Sequence, residues 1–412
     1  MSKNLVPGTP GTGSPGLTDA ASASDLNDQL CQPRNPIYKL PDKYTGTHFW
    51  SANASNHEVL YNFLLPSILE AIGDGSVENT EDPFVVCDYG AGDGGTSMKL
   101  MAEIIKGIRK KHGEEKPIVI VYEDQPWNDF KSLFCLSQGL FGDQTSFLPE
   151  DENVFVLASG TNFFTRCLPR NYVDLAVSCC AMHWLSKRPC SLAQDIFCRG
   201  DLNSEEELEA YKKQAAQDWE TILLNRTAEL KPGAHFFLVT SASKDGMHSG
   251  ATRHYTFRIT TYLKDLWLTF AKTGRITMEE FVNTNVAYFQ RTEDELKAPF
   301  LSADSKVSAS GFKLMSLEIN ETIFDISMQL KNKKLLDEEQ RVIAHYARKY
   351  VNALRGWINA VFMSGLDGRR SKEEKMAIVD NLFSQLEDDV ACRPNDFGYD
   401  MIVAYIDILK EK

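Results

Sequence analysis

The stretch "FVVCDYGAGDGGTSMKLM", residues 84–101, runs from apolar residues through an acidic residue into a glycine cluster, and then into a helix-like pattern. The apolar start is typical of a buried strand, and glycines allow the backbone to approach a ligand closely. Backbone N–H groups at the start of the next helix favour an anionic group such as a carboxylate or phosphate. The stretch therefore predicts a strand, a ligand-binding turn and a helix.

Further apolar runs extend this unit into a sheet. They lie at residues 117–123, 153–159, 172–178 and 234–240, separated by helical stretches such as 204–233, which stops at Pro232 and Gly233. Strands with nearly continuous apolar sequence are typical of a parallel sheet that is covered on both faces. The predicted fold class is therefore α/β with a mostly parallel sheet.

The remaining segments surround this sheet. Residues 1–40 are rich in Gly, Pro, Ser and Asn, which predicts a disordered tail. Residues 51–73 read as a helix with a break at Pro66, and residues 241–310 as a mostly helical insertion. The C-terminal part of the chain predicts a strand at 311–319, a helical pair around 338–365, a helix near 373–389 and an edge strand at 399–409.

Charge and cysteine content narrow the functional classes. The net charge of −13 over 412 residues would repel phosphate backbones, so nucleic acid is not an expected partner. Nine cysteines without a CxxC pair indicate neither a disulfide framework nor a zinc site. No apolar run approaches the roughly 20 residues of a membrane span, and the N-terminus has no signal-like pattern. A cytoplasmic protein that does not bind membranes is expected.

Carboxylates at the end of the second strand suggest a nucleoside site. Glu123 and Asp124 follow the run 117–123, where a carboxylate can accept both ribose hydroxyls of an adenosine cofactor. Such a contact suits NAD as well as S-adenosylmethionine. The spacing argues against a nucleotide-dependent oxidoreductase, because both acids lie at least 28 residues beyond Gly95, whereas the dinucleotide motif places its acid about 20 residues on.

The stretch "SCCAMHWLSKRP", residues 178–189, is the most informative in the chain. It resembles the "SSYSxHWLS" motif of the SABATH methyltransferases, which transfer a methyl group from S-adenosylmethionine to carboxylates and, in some members, to ring nitrogens. Further matches follow in the same order. They are "CDYGAGDGGTS" with "ADLGCSSGPNT", "VYEDQPWNDFKSLF" with "FLNDLPxNDFNxLF", "NFFTRCLPRNYVDLAVS" with "SFYxRLFPxxSxxxxxS", and "QAAQDWETILLNRTAELKPGAHFFLV" with a pattern that precedes "PGGRMVL". The resemblance covers roughly residues 45–411.

This resemblance implies a fold and a cofactor. The fold is a Rossmann-like class I methyltransferase with a mostly parallel seven-stranded sheet and an α-helical cap. The domain would span residues 41–412, with cap insertions about 186–215, 241–310 and 322–370. The cofactor would be S-adenosyl-L-methionine, the partner a small-molecule substrate, and the assembly a homodimer by analogy with relatives.

The resemblance also assigns site residues position by position. The cofactor would be held by Phe49, Asn53, Asp88, Gly90, Gly92, Asp124, Gln125, Asn162, Phe163 and Cys179. The acceptor group of the substrate would meet His183, Trp184 and Asn56. Candidate apolar walls are Phe257, Tyr262, Trp267, Trp357 and Phe362.

Two departures from the family pattern leave the acceptor open. Asn56 stands where the family has a longer glutamine that clamps the substrate carboxylate, and Cys180 stands where it has an aromatic residue. A carboxylate is already ionised at pH 7 and needs only donors to orient it. A phenol or an amine would need a proton acceptor, and His183 is the obvious one. N- or O-methylation of a heterocycle or phenol therefore remains an alternative, as does an inactive cofactor-binding module.

Overall fold

A computed structural model describes residues 42–53, 60–74, 81–141, 146, 152–199, 203–244, 255–302, 304–324 and 339–412. All of these residues belong to one compact unit, residues 34–412. The segment 1–40, for which the sequence predicts a disordered tail, lies outside the described residues.

The apolar runs form one central sheet. Its strands are β1 (Phe84–Tyr89), β2 (Ile118–Asp124), β3 (Val154–Gly160), β4 (Val173–Cys179), β5 (Leu230–Ser243), β6 (Arg291–Thr292), β7 (Phe312–Phe324) and β8 (Tyr399–Lys410). The order is β3-β2-β1-β4-β5-β8-β7, and the two-residue β6 pairs with β5 outside this path. Strands β1 to β5 pair in parallel. The α/β class and the mostly parallel sheet are therefore confirmed, with β6 added to the seven expected strands.

The sequence predicts that the last strand lies at the edge of the sheet, and this prediction is wrong. Strand β8 pairs antiparallel with β5 on one side and with β7 on the other, which leaves β7 at the edge. Its apolar residues occur at consecutive positions, and Val403, Ala404, Ile406 and Ile408 are all buried. A strand that buries both faces belongs inside a sheet.

Helices cover both faces of the sheet and extend beyond it. They are α1 (Phe49–Asn53), α2 (Leu65–Asp74), α3 (Met98–His112), α4 (Phe130–Ser137), α5 (Glu205–Glu229), α6 (Tyr255–Lys272), α7 (Met278–Asn283), α8 (Glu293–Lys297), α9 (Lys306–Ala309), α10 (Glu339–Gly365) and α11 (Lys372–Cys392). Helices α2, α3 and α4 contribute to one core cluster and α5 to another.

Helix α5 ends earlier than the sequence suggested. It begins at a capping box, in which Ser204 accepts from the Glu207 N–H and Glu207 accepts in return from Ser204. Its last residue is Glu229, and Pro232 and Gly233 lie within β5. These two residues sit where the pairing between β4 and β5 shifts register. Pro232 and Gly233 therefore mark an irregular start of β5 and not the end of helix α5.

Helices α6, α7, α10 and α11, which we call the cap, share a core of their own. The expected helical pair at 338–365 is instead the single helix α10 over the described part of that range. Trp267 and Phe362 are completely buried in this core, with ring centroids 4.9 Å apart. The prediction that these two residues line the pocket is wrong, because a side chain without exposed surface cannot line an open pocket. Within the described residues, no helix is both long and apolar enough to cross a membrane.

Candidate functional site

The expected cofactor residues of the sheet meet at one edge. Asp88 near the end of β1 pairs with Tyr122 of β2 and with Val177 of β4, and Asp124 pairs with Gly160 of β3. The carboxyl ends of parallel strands open together, and ligands of α/β sheets bind in the crevice outside them. The structure thus brings Asp88, Gly90, Gly92, Asp124, Gln125, Asn162, Phe163 and Cys179 to this edge.

The glycine turn after β1 tolerates no side chain at its first glycine. Gly90 has φ +76°, and a Cβ atom there would clash with the side chain of Ala181. Gly90 and Ala91 donate their backbone N–H groups to the carbonyl of Glu123 at 2.8 and 3.0 Å. Asn128 Nδ2 donates to the carbonyl of Gly92 at 2.6 Å. The turn is therefore fixed against β2 and its following loop.

Asp88 is a buried carboxylate without a hydrogen-bond partner among the described residues. Its side chain is 1% exposed, and neither oxygen is within bonding geometry of a donor there. Burial raises the pKa of Asp88 to about 7, and Asp124 adds to the rise while nearby Ser97 opposes it. Burying such a group unpaired is costly. Asp88 is therefore prepared for a cationic or donor group of a ligand.

Asp124 differs from Asp88 because its carboxylate is already partly used. It accepts from the backbone N–H groups of Gly92 and Gln125, each at 2.7 Å. Burial raises the pKa of Asp124 to about 6, and these two bonds oppose the rise. The side chain is only half-buried. Lone pairs on its oxygens therefore remain for a further donor, such as a hydroxyl group.

Glu123, the neighbouring acid, points to the opposite face of the sheet. It is completely buried and accepts from Thr161 Oγ1 at 3.2 Å and from Cys167 Sγ at 3.5 Å. Burial raises the pKa of Glu123 to about 8. The pleat of β2 therefore decides between the two acids, because successive side chains point to opposite faces. Only Asp124 can meet a ligand in the crevice.

The loop after β3 is anchored by a buried ion pair that sequence reasoning missed. Asn162 Oδ1 accepts from the Phe164 N–H at 3.0 Å, within the loop itself. Arg226 of α5 donates to the carbonyl of Phe163 at 2.9 Å and pairs with Glu229 at 2.9 Å. Both charged side chains are completely buried. A cation and an acid three residues apart on an otherwise apolar helix face were the available signal.

Cys179 is the last residue of β4 and Cys180 follows it, and both side chains are partly buried. Their sulfur atoms are 3.9 Å apart, and Cys180 has φ +53°. The hydrogen bond with Cys180, together with burial, holds the pKa of Cys179 well above its usual range. The thiol of Cys179 therefore stays protonated and is not a nucleophile. In the described part of the chain, no group of three or more His, Cys, Asp or Glu side chains is placed to hold a metal ion.

His183 and Trp184 lie in an aromatic cluster where the cap meets the sheet. The ring centroid of Tyr288 lies 4.9 Å from that of His183 and 5.8 Å from that of Trp184. Trp357 of α10 lies 6.1 Å from Trp184 and is the expected wall residue that reaches the site. The Tyr262 hydroxyl donates instead to Asp389 within the cap. The side chain of Phe257 lies outside the described residues.

His183 is held in one tautomer by its surroundings. The ring is buried, and its Nδ1 atom accepts from the backbone N–H of Ser241 in β5 at 3.4 Å. A neutral imidazole has one donor and one acceptor nitrogen. Because Nδ1 accepts, the proton of neutral His183 sits on Nε2, which makes Nε2 a hydrogen-bond donor.

The turn that carries these residues is held by buried polar groups. Arg291 of β6 donates to the carbonyl of Met182 at 2.9 Å and, twice, to that of Ala215 in α5. Asp218 of α5 accepts from the backbone N–H of Ser186 at 2.8 Å and from its hydroxyl at 2.7 Å. Sequence reasoning did not find Arg291, because no periodic pattern predicts its partners.

The N-terminal segment lies against the glycine turn and the cap. Trp50 packs between two glycines: a Cβ atom at Gly92 would lie 3.3 Å from its indole, and one at Gly356 of α10 would lie 2.7 Å away. Phe49 is buried, and Asn53 Nδ2 donates to the carbonyl of Phe49 at 2.7 Å. The bond of Asn53 therefore stays within α1. Asn56, expected at the substrate, lies outside the described residues.

Comparison with known proteins shows which protein family has this sequence pattern and crevice. A model of the S-adenosylmethionine-dependent carboxyl methyltransferase family matches residues 43–396. The chain belongs to this family. The SABATH resemblance is thereby confirmed, as is dependence on S-adenosylmethionine. The expected class I methyltransferase fold also agrees with the strand order described above.

Individual relatives of this SABATH chain are distant. A probable S-adenosylmethionine-dependent methyltransferase of Arabidopsis thaliana is 25% identical over 349 residues, which cover 80% of this chain and 85% of that protein. Indole-3-acetate O-methyltransferase 1 of Arabidopsis thaliana is 27% identical over 52% of this chain and 59% of its own length. A solved structure of loganic acid methyltransferase with S-adenosylhomocysteine has a TM-score of 0.67 at 18% identity, covering 91% of this chain and 98% of that one. This last similarity concerns the fold.

Proposed function

We propose that this enzyme transfers a methyl group to the carboxylate of a small, largely apolar acid and forms a methyl ester. The observation that carries the proposal is the bond from the Ser241 N–H to Nδ1 of His183. This bond makes Nε2 of His183 a donor, and a carboxylate needs donors but no base. Relatives named for carboxylic acids, such as indole-3-acetate O-methyltransferase 1, fit this proposal, whereas relatives named as probable 7-methylxanthine methyltransferases fit the heterocycle alternative.

The crevice has the chemistry that S-adenosylmethionine requires. The buried carboxylate of Asp88, whose oxygens have no hydrogen-bond partner in the described part of the chain, suits the amino group of the cofactor's methionine end. Asp124, which accepts from the Gly92 N–H of the glycine turn, keeps lone pairs for ribose hydroxyls. We assign Gln125, Asn162, Phe163 and Cys179 to the adenosine side and Phe49 and Asn53 to the N-terminal wall of the same site. When bound, the sulfonium supplies an electrophilic methyl group.

The residues of this chain then have to orient the substrate carboxylate and to exclude water from the pocket. Donors at Nε2 of His183 and Nε1 of Trp184 would fix the direction of the carboxylate lone pair that attacks. Well-aligned reacting groups gain at most about 7 to 11 kcal/mol from such orientation. The rings of Tyr288 and Trp357 around Trp184 would keep the pocket apolar. No residue needs to accept a proton in this reaction.

Phenols and amines fit the site less well as acceptors. Either would have to lose a proton during or after transfer, and His183 was the expected acceptor. Its basic nitrogen faces the backbone of β5 instead, so the imidazole would first have to break that bond and exchange its proton. The N- or O-methylation alternative is therefore the weaker candidate.

Incorporation of labelled methyl groups tests the proposal. The purified protein would be offered labelled S-adenosylmethionine with a panel of aromatic, terpenoid and fatty acids, and with phenols and heterocycles of matching ring size. A carboxyl product releases labelled methanol in mild alkali, whereas phenyl ethers and N-methyl products do not. Label that resists alkali would overturn the carboxylate assignment. Thermal shifts with S-adenosylhomocysteine but not with NAD would separate an inactive binding module from misfolded protein.

A further inference from the structure

Tyr288 lies beside His183 and Trp184, the two residues expected to meet the substrate, but it belongs to the segment that follows helix α7 of the cap. It lies between α7 and β6 and forms an isolated antiparallel bridge with Trp184. The phenol ring is edge-on to both His183 and Trp184. The side chain is only half-buried, so part of it faces open space. Tyr288 is therefore close enough to act on the same group as the two residues of the "HW" motif.

Two polar side chains determine which way the Tyr288 hydroxyl can donate. Gln290 Nε2 donates to Ser241 Oγ at 2.9 Å, and Ser241 Oγ lies 3.1 Å from the Tyr288 hydroxyl. Ser241 is buried, and a serine hydroxyl has a single proton. Among the described residues, the Tyr288 oxygen is the acceptor that this proton can reach. The Ser241 hydroxyl can therefore donate to the Tyr288 oxygen, and in that arrangement the phenol proton is left for another acceptor.

Burial keeps this phenol protonated. Burial raises the pKa of Tyr288 above its usual range, bonds from Ser241 and Gln290 oppose the rise, and the nearby Cys180 thiol adds to it. Cys180 occupies the position at which the quoted family motif has a tyrosine.

We propose that Tyr288 is a substrate-binding residue, whose hydroxyl donates a third hydrogen bond to the substrate carboxylate beside His183 and Trp184. Gln290 and Ser241 act as positioning residues, since they set the direction of the phenol proton. This inference rests on the proposed function, because only an anionic acceptor oxygen makes a third donor useful. It also names a group outside the "SCCAMHWLS" stretch that selects for acids.

The variant Tyr288→Phe tests the inference, since it removes one oxygen and keeps the ring. Hydrogen bonds to charged groups contribute about 1.5 to 3 kcal/mol, so we expect kcat/KM for the best acid to fall roughly 10- to 150-fold. The thermal shift with S-adenosylhomocysteine should equal that of the wild type, which shows that the fold and the cofactor site are intact. A kcat/KM within twofold of the wild type would overturn the inference.

A double-mutant cycle tests the role of Ser241. Ser241→Ala keeps the backbone N–H that fixes His183 and removes only the hydroxyl, so we expect kcat/KM to fall about three- to tenfold. In the Tyr288→Phe background the same change should have no further effect, because its sole route to the substrate is gone. Independent, additive losses would mean that Ser241 does not act through Tyr288.

These outcomes separate the inference from the proposed function. If the wild type esterifies acids and Tyr288→Phe does so equally well, the inference alone is wrong. If the wild type methylates only phenols or heterocycles, the proposed function fails and the third donor to a carboxylate fails with it.

Discussion

The backbone N–H of Ser241 donates to Nδ1 of His183 across the interface between β5 and the motif turn. A main-chain donor cannot be rotated away as a side chain can, so it fixes which imidazole nitrogen carries the proton. The proposed role of His183 as a donor to the substrate rests on this one contact.

Substitution of His183 distinguishes a donor from a base. His183→Gln places an amide N–H near the position of Nε2 but has no basic nitrogen, so we expect kcat/KM for an acid to stay within about tenfold of the wild type. His183→Leu removes the donor and should lower kcat/KM roughly 10- to 150-fold, in line with the loss of about 1.5 to 3 kcal/mol for a hydrogen bond to a charged group. Steady-state kinetics would measure both, and equal losses in the two variants would contradict a donor role.

Cofactor affinity should depend on pH through Asp88. An aspartate in an unfolded chain ionises near 3.9, and in the folded protein the pKa of Asp88 is about 7. Between these values the folded apoprotein holds the extra proton, so the contribution of Asp88 to stability falls as pH rises from about 4 to 7. A cationic amino group prefers the ionised carboxylate. Affinity for S-adenosylhomocysteine should therefore weaken about tenfold per pH unit below pH 7, with proton release on binding.

Calorimetry in buffers of different ionisation enthalpy would measure that release. In Asp88→Asn the pH dependence near 7 should disappear and affinity should be low throughout. Glu123→Gln is the matched control, because Glu123 is also buried with a raised pKa but points to the opposite face. An unchanged pH dependence in Asp88→Asn would show that another group binds the amino end.

The contact between Trp50 and Gly356 predicts that Gly356→Ala changes the stability of the protein in opposite directions with and without the indole. Gly356 lies inside α10, where alanine is normally better than glycine by about 1 kcal/mol. With Trp50 present, a Cβ atom would lie 2.7 Å from the indole, so Gly356→Ala should destabilise the protein. In a Trp50→Ala background the same change should become stabilising. Urea unfolding of the four proteins would measure this coupling.

Gly73 of α2 is the control for that cycle, because a Cβ atom there would meet nothing within 4 Å. The effect of Gly73→Ala should be the same with and without Trp50. If Gly356→Ala were equally favourable in both backgrounds, the indole would not occupy the space against α10.

Arg291 should affect turnover more than cofactor binding. Arg291→Met removes the donors to the carbonyls of Met182 and Ala215, and each buried acceptor left unpaired costs about 1 to 3 kcal/mol. With two such acceptors, the free energy of unfolding should fall by roughly 2 to 6 kcal/mol. We expect kcat to fall at least tenfold, because the turn before His183 loosens, while the dissociation constant of S-adenosylhomocysteine changes less than threefold. Equal losses in both would indicate general unfolding.

Sequence and structure agree where burial is continuous along the chain. The runs that became β1 to β4 are apolar without interruption, and their order fixes a parallel sheet whose carboxyl ends carry Asp88, Asp124 and Cys179. The choice between Glu123 and Asp124 also follows from strand alternation, once the end of β2 is known.

Other features depend on contacts between distant segments. Tyr288 and Arg291 lie more than 100 residues from the turn that they contact. Nothing in a local pattern announces such partners. Similarly, Trp267 and Trp357 look equivalent as apolar helix residues, yet one fills the cap core and the other reaches Trp184. Which face of a helix meets a pocket is decided by its packing angle.

The interior position of β8 constrains how the protein is made. Residues 399–410 separate β5 from β7, so neither neighbour has its full set of backbone partners until this stretch is available. During translation, residue 410 must therefore leave the ribosome before β8 and β7 can complete their pairing in the sheet. Until then, strands β5 and β7 each lack the neighbour that β8 provides.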